Sequence, residues 1–189
     1  MKFTYPHTIE NGNGEKVIFK QVQNEYDGDR MVIEKFITPG NRQAVYTHWM
    51  QDKALKVIKG KLGYQLKGQP KKIATENQIV FFQKGIEHRV WNAGTETLHC
   101  EGWLKPANTI AFFLTSVYNA QNKSAIVRPI PFDMAYLVTQ YSAEYDLPSI
   151  PRIFKKTIMP VTYYLGKMLG KYEHFKEAPA AVRPKKYYH

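Results

Sequence analysis

Two histidines, a phenol and an amine stand at spacings that could build one small-molecule site. Tyr46, His48 and Lys53 fall in one segment, and His88 falls in a second that runs from Gly85 to Asn92. Imidazole offers a metal ligand or a proton acceptor near neutral pH, a phenol offers a proton, and an ammonium offers a counter-charge for an acid. If 44–50 is extended, Tyr46, His48 and Met50 share one face, because successive strand side chains alternate. The predicted pocket comprises Tyr46, His48, Met50, Lys53, Tyr64, His88 and Trp103, with Arg89 as a further cation. Lys53 is expected to run its stem along the wall and hold its charge at the rim. Glu101 is a reserve carboxylate, His99 a surface or packing residue, and Asn92 a turn residue after His88. Asp52 would reach the site only through a bulge, since a one-residue shift reverses the face. Cys100 has no recognisable catalytic partner and reads as a small buried apolar residue.

The elements that must position these groups are extended up to about residue 105. Glu15 to Val22, Arg30 to Ile37, Leu55 to Ile58, Leu62 to Leu66, Ile79 to Phe82, His88 to Trp91 and Thr97 to Leu104 are strand candidates, separated by turn signals such as Asn11-Gly12-Asn13-Gly14, Pro39-Gly40 and Gly60. Short strands at such spacing argue for a sandwich or barrel. Ile79-Val80-Phe81-Phe82 is continuously apolar, as expected of a strand covered on both sides.

From Pro106 the apolar period becomes helical. Ile110, Phe113, Leu114 and Val117 form one set, and Met134, Leu137, Val138, Tyr141 and Tyr145 form another, with Asn119 to Pro131 as a polar connection. After Pro151, an a/d stripe runs Phe154, Ile158, Val161, Leu165, Met168, Tyr172, Phe175, and Pro160 predicts a kink or a join at Met159-Pro160. Two occupants suit that stripe: the barrel or a second copy, and, because Arg152, Lys155, Lys156, Lys167, Lys171 and Lys176 flank it, an anionic bilayer met by residues 152–176. The chain divides into 1–105, the strand-rich domain, and 106–189, a helical extension whose last ten or so residues are loose.

The chain carries a net charge of +11 and 43% apolar residues. Lys and Arg outnumber Asp and Glu by 16 to 11 over residues 1–105 and by 11 to 5 over 106–189, so the excess is dense only at the C-terminal end. No nucleic-acid-binding signature accompanies it, and no nucleic-acid partner is expected. One cysteine rules out an internal disulfide framework. With no signal-like run and no membrane-span-length apolar stretch, a cytoplasmic protein is expected.

The pattern His-x-His-x4-Glu-x6-Gly followed by Gly-x2-His-x3-Asn belongs to the cupin superfamily. The chain resembles a cupin over about residues 15–105, through Val57-Ile58-Lys59-Gly60, Gly85-x2-His88-x3-Asn92 and Ala93-Gly94. Pro151 to Tyr172 resembles the ending of one cupin group that continues from the barrel through helices. The resemblance implies a mainly β fold, a cupin jelly-roll β-barrel (double-stranded β-helix) with C-terminal α-helices, commonly dimeric. It also places Tyr46, His48, Lys53 and His88 where metal-binding cupins hold Fe, Mn, Ni or Zn with three imidazoles and a carboxylate. Here a phenol and a cation replace two of those ligands, and an ammonium repels a divalent ion. Three readings follow. One is a metal-free barrel that binds a small molecule, His48 and His88 hydrogen-bonding to it and Lys53 or Arg89 standing near if it is an anion. Another is metal-dependent catalysis by His48, His88 and Tyr46. The third is metal-free acid-base chemistry by a histidine and Tyr46, as in some cupin epimerases and isomerases.

Overall fold

A computed structural model describes residues 3–41, 45–124 and 132–183. Among the described residues eleven strands are formed: β1 His7–Asn11, β2 Glu15–Gln23, β3 Arg30–Ile37, β4 Thr47–His48, β5 Asp52–Lys59, β6 Leu62–Leu66, β7 Lys72–Ala74, β8 Ile79–Phe82, β9 His88–Asn92, β10 Leu98–Lys105 and β11 Tyr145–Asp146. The helices are α1 Ile110–Ser124, α2 Phe132–Gln140, α3 Arg152–Lys156 and α4 Ile158–Met168, followed by a single 3-10 turn, Glu173–Phe175.

One sheet has the order β1-β2-β3-β10-β5-β8, all neighbours antiparallel. A second has the order β7-β6-β9, and the bridge between Tyr46 and His88 joins it to the pair β4-β11. The inward residues of both sheets meet in one core that includes Val17, Phe19, Ile33, Leu55, Val57, Leu62, Phe82, Val90 and Leu98. Each fully buried Leu or Phe contributes roughly 1.5–3 kcal/mol by leaving water. Alternation sets which groups point inward: Met31, Ile33, Lys35 and Ile37 on β3, Glu15, Val17 and Phe19 on β2, and Lys53, Leu55 and Val57 on β5 are all buried. Gly60 and Gly85, the two motif glycines, both take positive φ, 92° and 77°, which a side chain at either position would strain.

Several expectations are corrected. β8 is covered on one side only: Ile79 and Phe81 are exposed while Val80 and Phe82 are buried, because among the described residues no element packs over the outer face of its sheet there. Asn119–Ser124 continues α1 rather than forming a connection, and 125–131 lies outside the described residues. Tyr145 leaves the helical set and pairs with His48 in β11. The join after α3 falls at Thr157, whose φ/ψ of −117°/−66° departs from the helix, and Pro160 sits in the first turn of α4, where its missing N–H has no intrahelical partner to lose. The tail is anchored as far as Val182: Ala178 and Ala181 pack on the core, the Val182 N–H donates to Glu144, and the Tyr141 hydroxyl donates to the Pro179 carbonyl. Residues 184–189 lie outside the described residues.

Candidate functional site

A narrow cavity of about 40 Å³ lies inside the barrel, walled by Glu15, Lys35, Tyr46, His48 and Lys53 among apolar side chains. A buried water needs roughly 10–15 Å³ measured this way, so about three water-sized positions fit. Lys35 and Glu15 form a buried ion pair at 2.6 Å. Glu15 is the one carboxylate on the cavity wall among the described residues, set against two lysine amines. Lys53 is 7% exposed and its Nζ lies 5.2 Å from the centre of the Phe82 ring, so its charge is not at the rim as the sequence suggested. Burial, with the Lys35 charge adding to it, pulls the Lys53 amine down to about 7.

The histidines can be assigned a tautomer. The Gln51 Nε2 donates to the carbonyls of Pro106 and Ala107 at 2.8 and 2.9 Å, so its Oε1 faces His48 and accepts from Nδ1–H at 3.1 Å. His88 Nδ1 lies 3.0 Å from the Ile86 carbonyl, which can only accept. Each ring therefore carries its proton on Nδ1 and offers a bare Nε2. That of His88 is buried without a hydrogen-bond partner among the described residues. Burial, then the Lys53 charge, pulls His48 down to about 3 and His88 to about 2, so both are neutral at pH 7. Their rings stack at 5.7 Å, and His88 stacks on Phe82 at 4.5 Å, which places it behind His48 rather than on the cavity wall.

Tyr46 reaches the cavity from the residue before β4, half-buried, and its side chain hydrogen-bonds that of Gln121 on α1. Burial and the Glu15 charge push its phenol further up from its ordinary value. Tyr64 points inward and meets the Phe82 ring edge-on at 6.1 Å. Met50 is half-buried and lines no cavity described here.

Trp103 lies on the outer face of its sheet, against Arg30 and the exposed Phe81, because the buried residues of β10 are Leu98, Cys100 and Leu104, one register away. Glu101 is exposed on that outer face, His99 stacks on Phe36, and Arg89 is held by Gln65. Asp52 accepts from the Lys84 N–H and does not turn inward. Cys100 is buried, which pushes its thiol up to about 11. Asn92 uses its side chain to tie Ile37, Glu96 and Gly94 together after β9.

Residues from outside the two motif segments complete the site. Lys35 and Glu15 occupy inward positions in otherwise apolar strand faces, a signal visible in the alternation Met31, Ile33, Lys35, Ile37. Tyr145, from the extension, meets the edge of His48 at 5.7 Å and stacks on Phe113 at 4.1 Å. Phe113 lines both the interior cavity and an outer cleft of about 760 Å³ at the barrel mouth, where Thr47, Trp49, Ile86, Arg152, Lys155 and Lys156 are found. The Phe113–Tyr145 stack is thus part of the partition between the two spaces. Glu144, fully buried, accepts from the Thr109 hydroxyl and from the Val182 N–H and holds this segment in place.

The residues present do not fit a divalent metal. Among the described residues no group of three His, Cys, Asp or Glu side chains is placed to hold one, and the Lys53 amine stands where a carboxylate ligand would help. Tyr46 and His48, the two kinds of group that acid-base chemistry would use, both line the cavity; burial holds the His48 and His88 imidazoles below their ordinary range and the Tyr46 phenol above its own. No helix among the described residues is long and apolar enough to cross a membrane.

No protein-family model matches the chain. No curated protein matches it either. Solved structures do. An uncharacterized conserved protein with a double-stranded beta-helix domain from Klebsiella pneumoniae is 22% identical, with a TM-score of 0.43 over 53% of this chain and 83% of that one. KdgF from Halomonas sp. is 12% identical, with a TM-score of 0.45 over 56% and 92%. The capsular polysaccharide assembling protein CapF from Staphylococcus aureus is 15% identical, with a TM-score of 0.48 over 56% of this chain and 32% of that one, so the chain spans about a third of CapF. In its own strand order and registers, the chain has the cupin fold, a double-stranded β-helix with C-terminal helices.

Proposed function

We propose that this cupin-fold chain is a binding protein whose barrel interior holds a small oxyanion without a metal. The observation that carries the reading is the imbalance on the cavity wall: two lysine amines, Lys35 and Lys53, face one carboxylate, Glu15, which is already paired with Lys35. A buried cation without a counter-charge is costly, and an anion beside Lys53 would offset that cost. The cavity volume favours three or four heavy atoms, the size of formate, acetate or bicarbonate. The bare Nε2 of His48 accepts from a protonated ligand oxygen or a water, while Lys53 and Tyr46 donate to the anionic oxygen. Larger acids fit only if their body occupies the outer cleft, past Phe113 and Tyr145.

Calorimetric titration with formate, acetate and bicarbonate tests this. The expected result is saturable binding to the native chain that weakens as pH rises past about 7, where Lys53 loses its proton, and that Lys53→Met abolishes. Binding of none of the three, or equal binding by the Lys53→Met variant, overturns the reading. A transition metal retained in equimolar amount after reconstitution, and lost in His48→Ala, would favour the metal-dependent alternative instead.

A further inference from the structure

The helix pair α3–α4 presents to solvent what a helix of this kind ordinarily buries. Met159 and Gly166 face inward, Tyr163 stacks on Tyr172 and meets Tyr136 at a tilt, and the Tyr172 hydroxyl lies 3.5 Å from the Thr162 carbonyl. Ile158, Val161, Leu165 and Met168, four members of the predicted stripe, instead lie exposed on the opposite arc, with Tyr164 and Leu169 at its margins and Ile153 and Phe154 on α3. Val161 is 68% exposed and Met168 is 84% exposed, so this part of the stripe is uncovered, while Tyr172 and Phe175 at its end pack on the core.

The charge around this face decides between occupants. From Leu147 to Tyr172 there is no Asp or Glu, while Arg152, Lys155, Lys156, Lys167 and Lys171 are present. Lys155 is paired with Asp146 at 2.5 Å, and Arg152, Lys156, Lys167 and Lys171 are exposed. In a two-fold dimer the same patch meets itself, so an isologous contact here would bring like charges together. An anionic bilayer offers the opposite: hydrocarbon for the stripe and negative headgroups for the basic rim. We infer that α3–α4 is a peripheral membrane-docking surface that lies on anionic lipid, inserting Ile158, Val161, Leu165 and Met168 below the headgroups.

Flotation of the full chain with phosphatidylcholine vesicles, pure or containing roughly one-third phosphatidylserine, reads this directly. Association is expected with the anionic vesicles only, weakening with salt and by about fivefold for each of Lys156→Gln and Lys167→Gln. Val161→Glu combined with Met168→Glu is expected to abolish it. Both positions are solvent-exposed, so these substitutions leave the fold intact, as circular dichroism would verify. Equal association with both vesicle types, association with neither, or an undiminished Val161→Glu/Met168→Glu variant would overturn the inference. So would a vesicle-free dimer that this variant converts to a monomer, because the occupant would then be a second copy.

Discussion

The barrel interior and the α3–α4 face invert one another. Inside the barrel, Lys35, Lys53 and Glu15 are buried among Phe19, Ile33 and Leu104, so charge lies where hydrocarbon is expected. On α4, Val161, Leu165 and Met168 are exposed beside Lys167, so hydrocarbon lies where charge is expected. Each departure works against folding stability, and each acquires a rationale if a ligand supplies the missing partner, an anion within and a lipid surface without. The difference lies in what the fold tolerates: a buried charge must be matched by its neighbours, whereas an exposed apolar residue costs the folded chain little.

The most damaging way to break the comparison is to remove the interior counter-charge. Glu15→Gln leaves Lys35 buried and unpaired and is expected to cost about 3–5 kcal/mol in chemical denaturation, whereas Glu15→Leu with Lys35→Met is expected to be neutral or stabilising.

Next in size is the pH response. The Lys53 amine sits at about 7 in the folded chain against 10.5 for its ordinary value. Between those values the unfolded chain binds the proton and the folded chain does not, so stability rises with pH at up to about 1.4 kcal/mol per unit. Lys53→Met is expected to remove that rise. For His48 and His88, held at about 3 and 2 against 6.5, the same sign applies at lower pH: stability falls as pH drops below 6.5, because only the unfolded chain takes up protons there. Replacing either histidine by Gln is expected to flatten that acid limb in urea titrations at successive pH values.

The smallest effect belongs to the helix face. Met168→Glu and Val161→Glu are expected to shift stability by no more than about 0.5 kcal/mol, since both side chains already meet solvent. A loss of several kcal/mol would mean that this face is covered in the folded protein.

Much of the barrel was legible because strand alternation and glycine turns are local. The two motif segments do meet, through the bridge between Tyr46 and His88, and Gly60 and Gly85 take the conformations their positions imply. The side to which Trp103 points was misjudged although legible: the reading of Cys100 as buried already turns Trp103 outward by strand alternation, as Cys100 and Leu104 show. The burial of Lys53 was missed for a different reason. A flexible side chain can reach solvent from many wall positions; here Lys53 turns inward over Phe82, into a cavity that Phe113, Leu114 and Tyr118 of α1 help to line. Lys35 and Glu15 were visible as polar interruptions of apolar faces, but their partnership needed the pairing of β2 with β3. Tyr145 could not have been placed, since its role depends on the extension returning to add a strand beside His48.

On this reading Lys53 is a buried amine, pulled well below its ordinary range, whose proton an arriving anion would hold. Following the Lys53 side-chain resonances by NMR across pH tests it, in the native chain with and without formate. A midpoint near 7 is expected in formate-free buffer, with a clear upward shift when formate is added. A midpoint near that of an exposed lysine, about 10.4, or one that formate and bicarbonate leave unmoved, would contradict it.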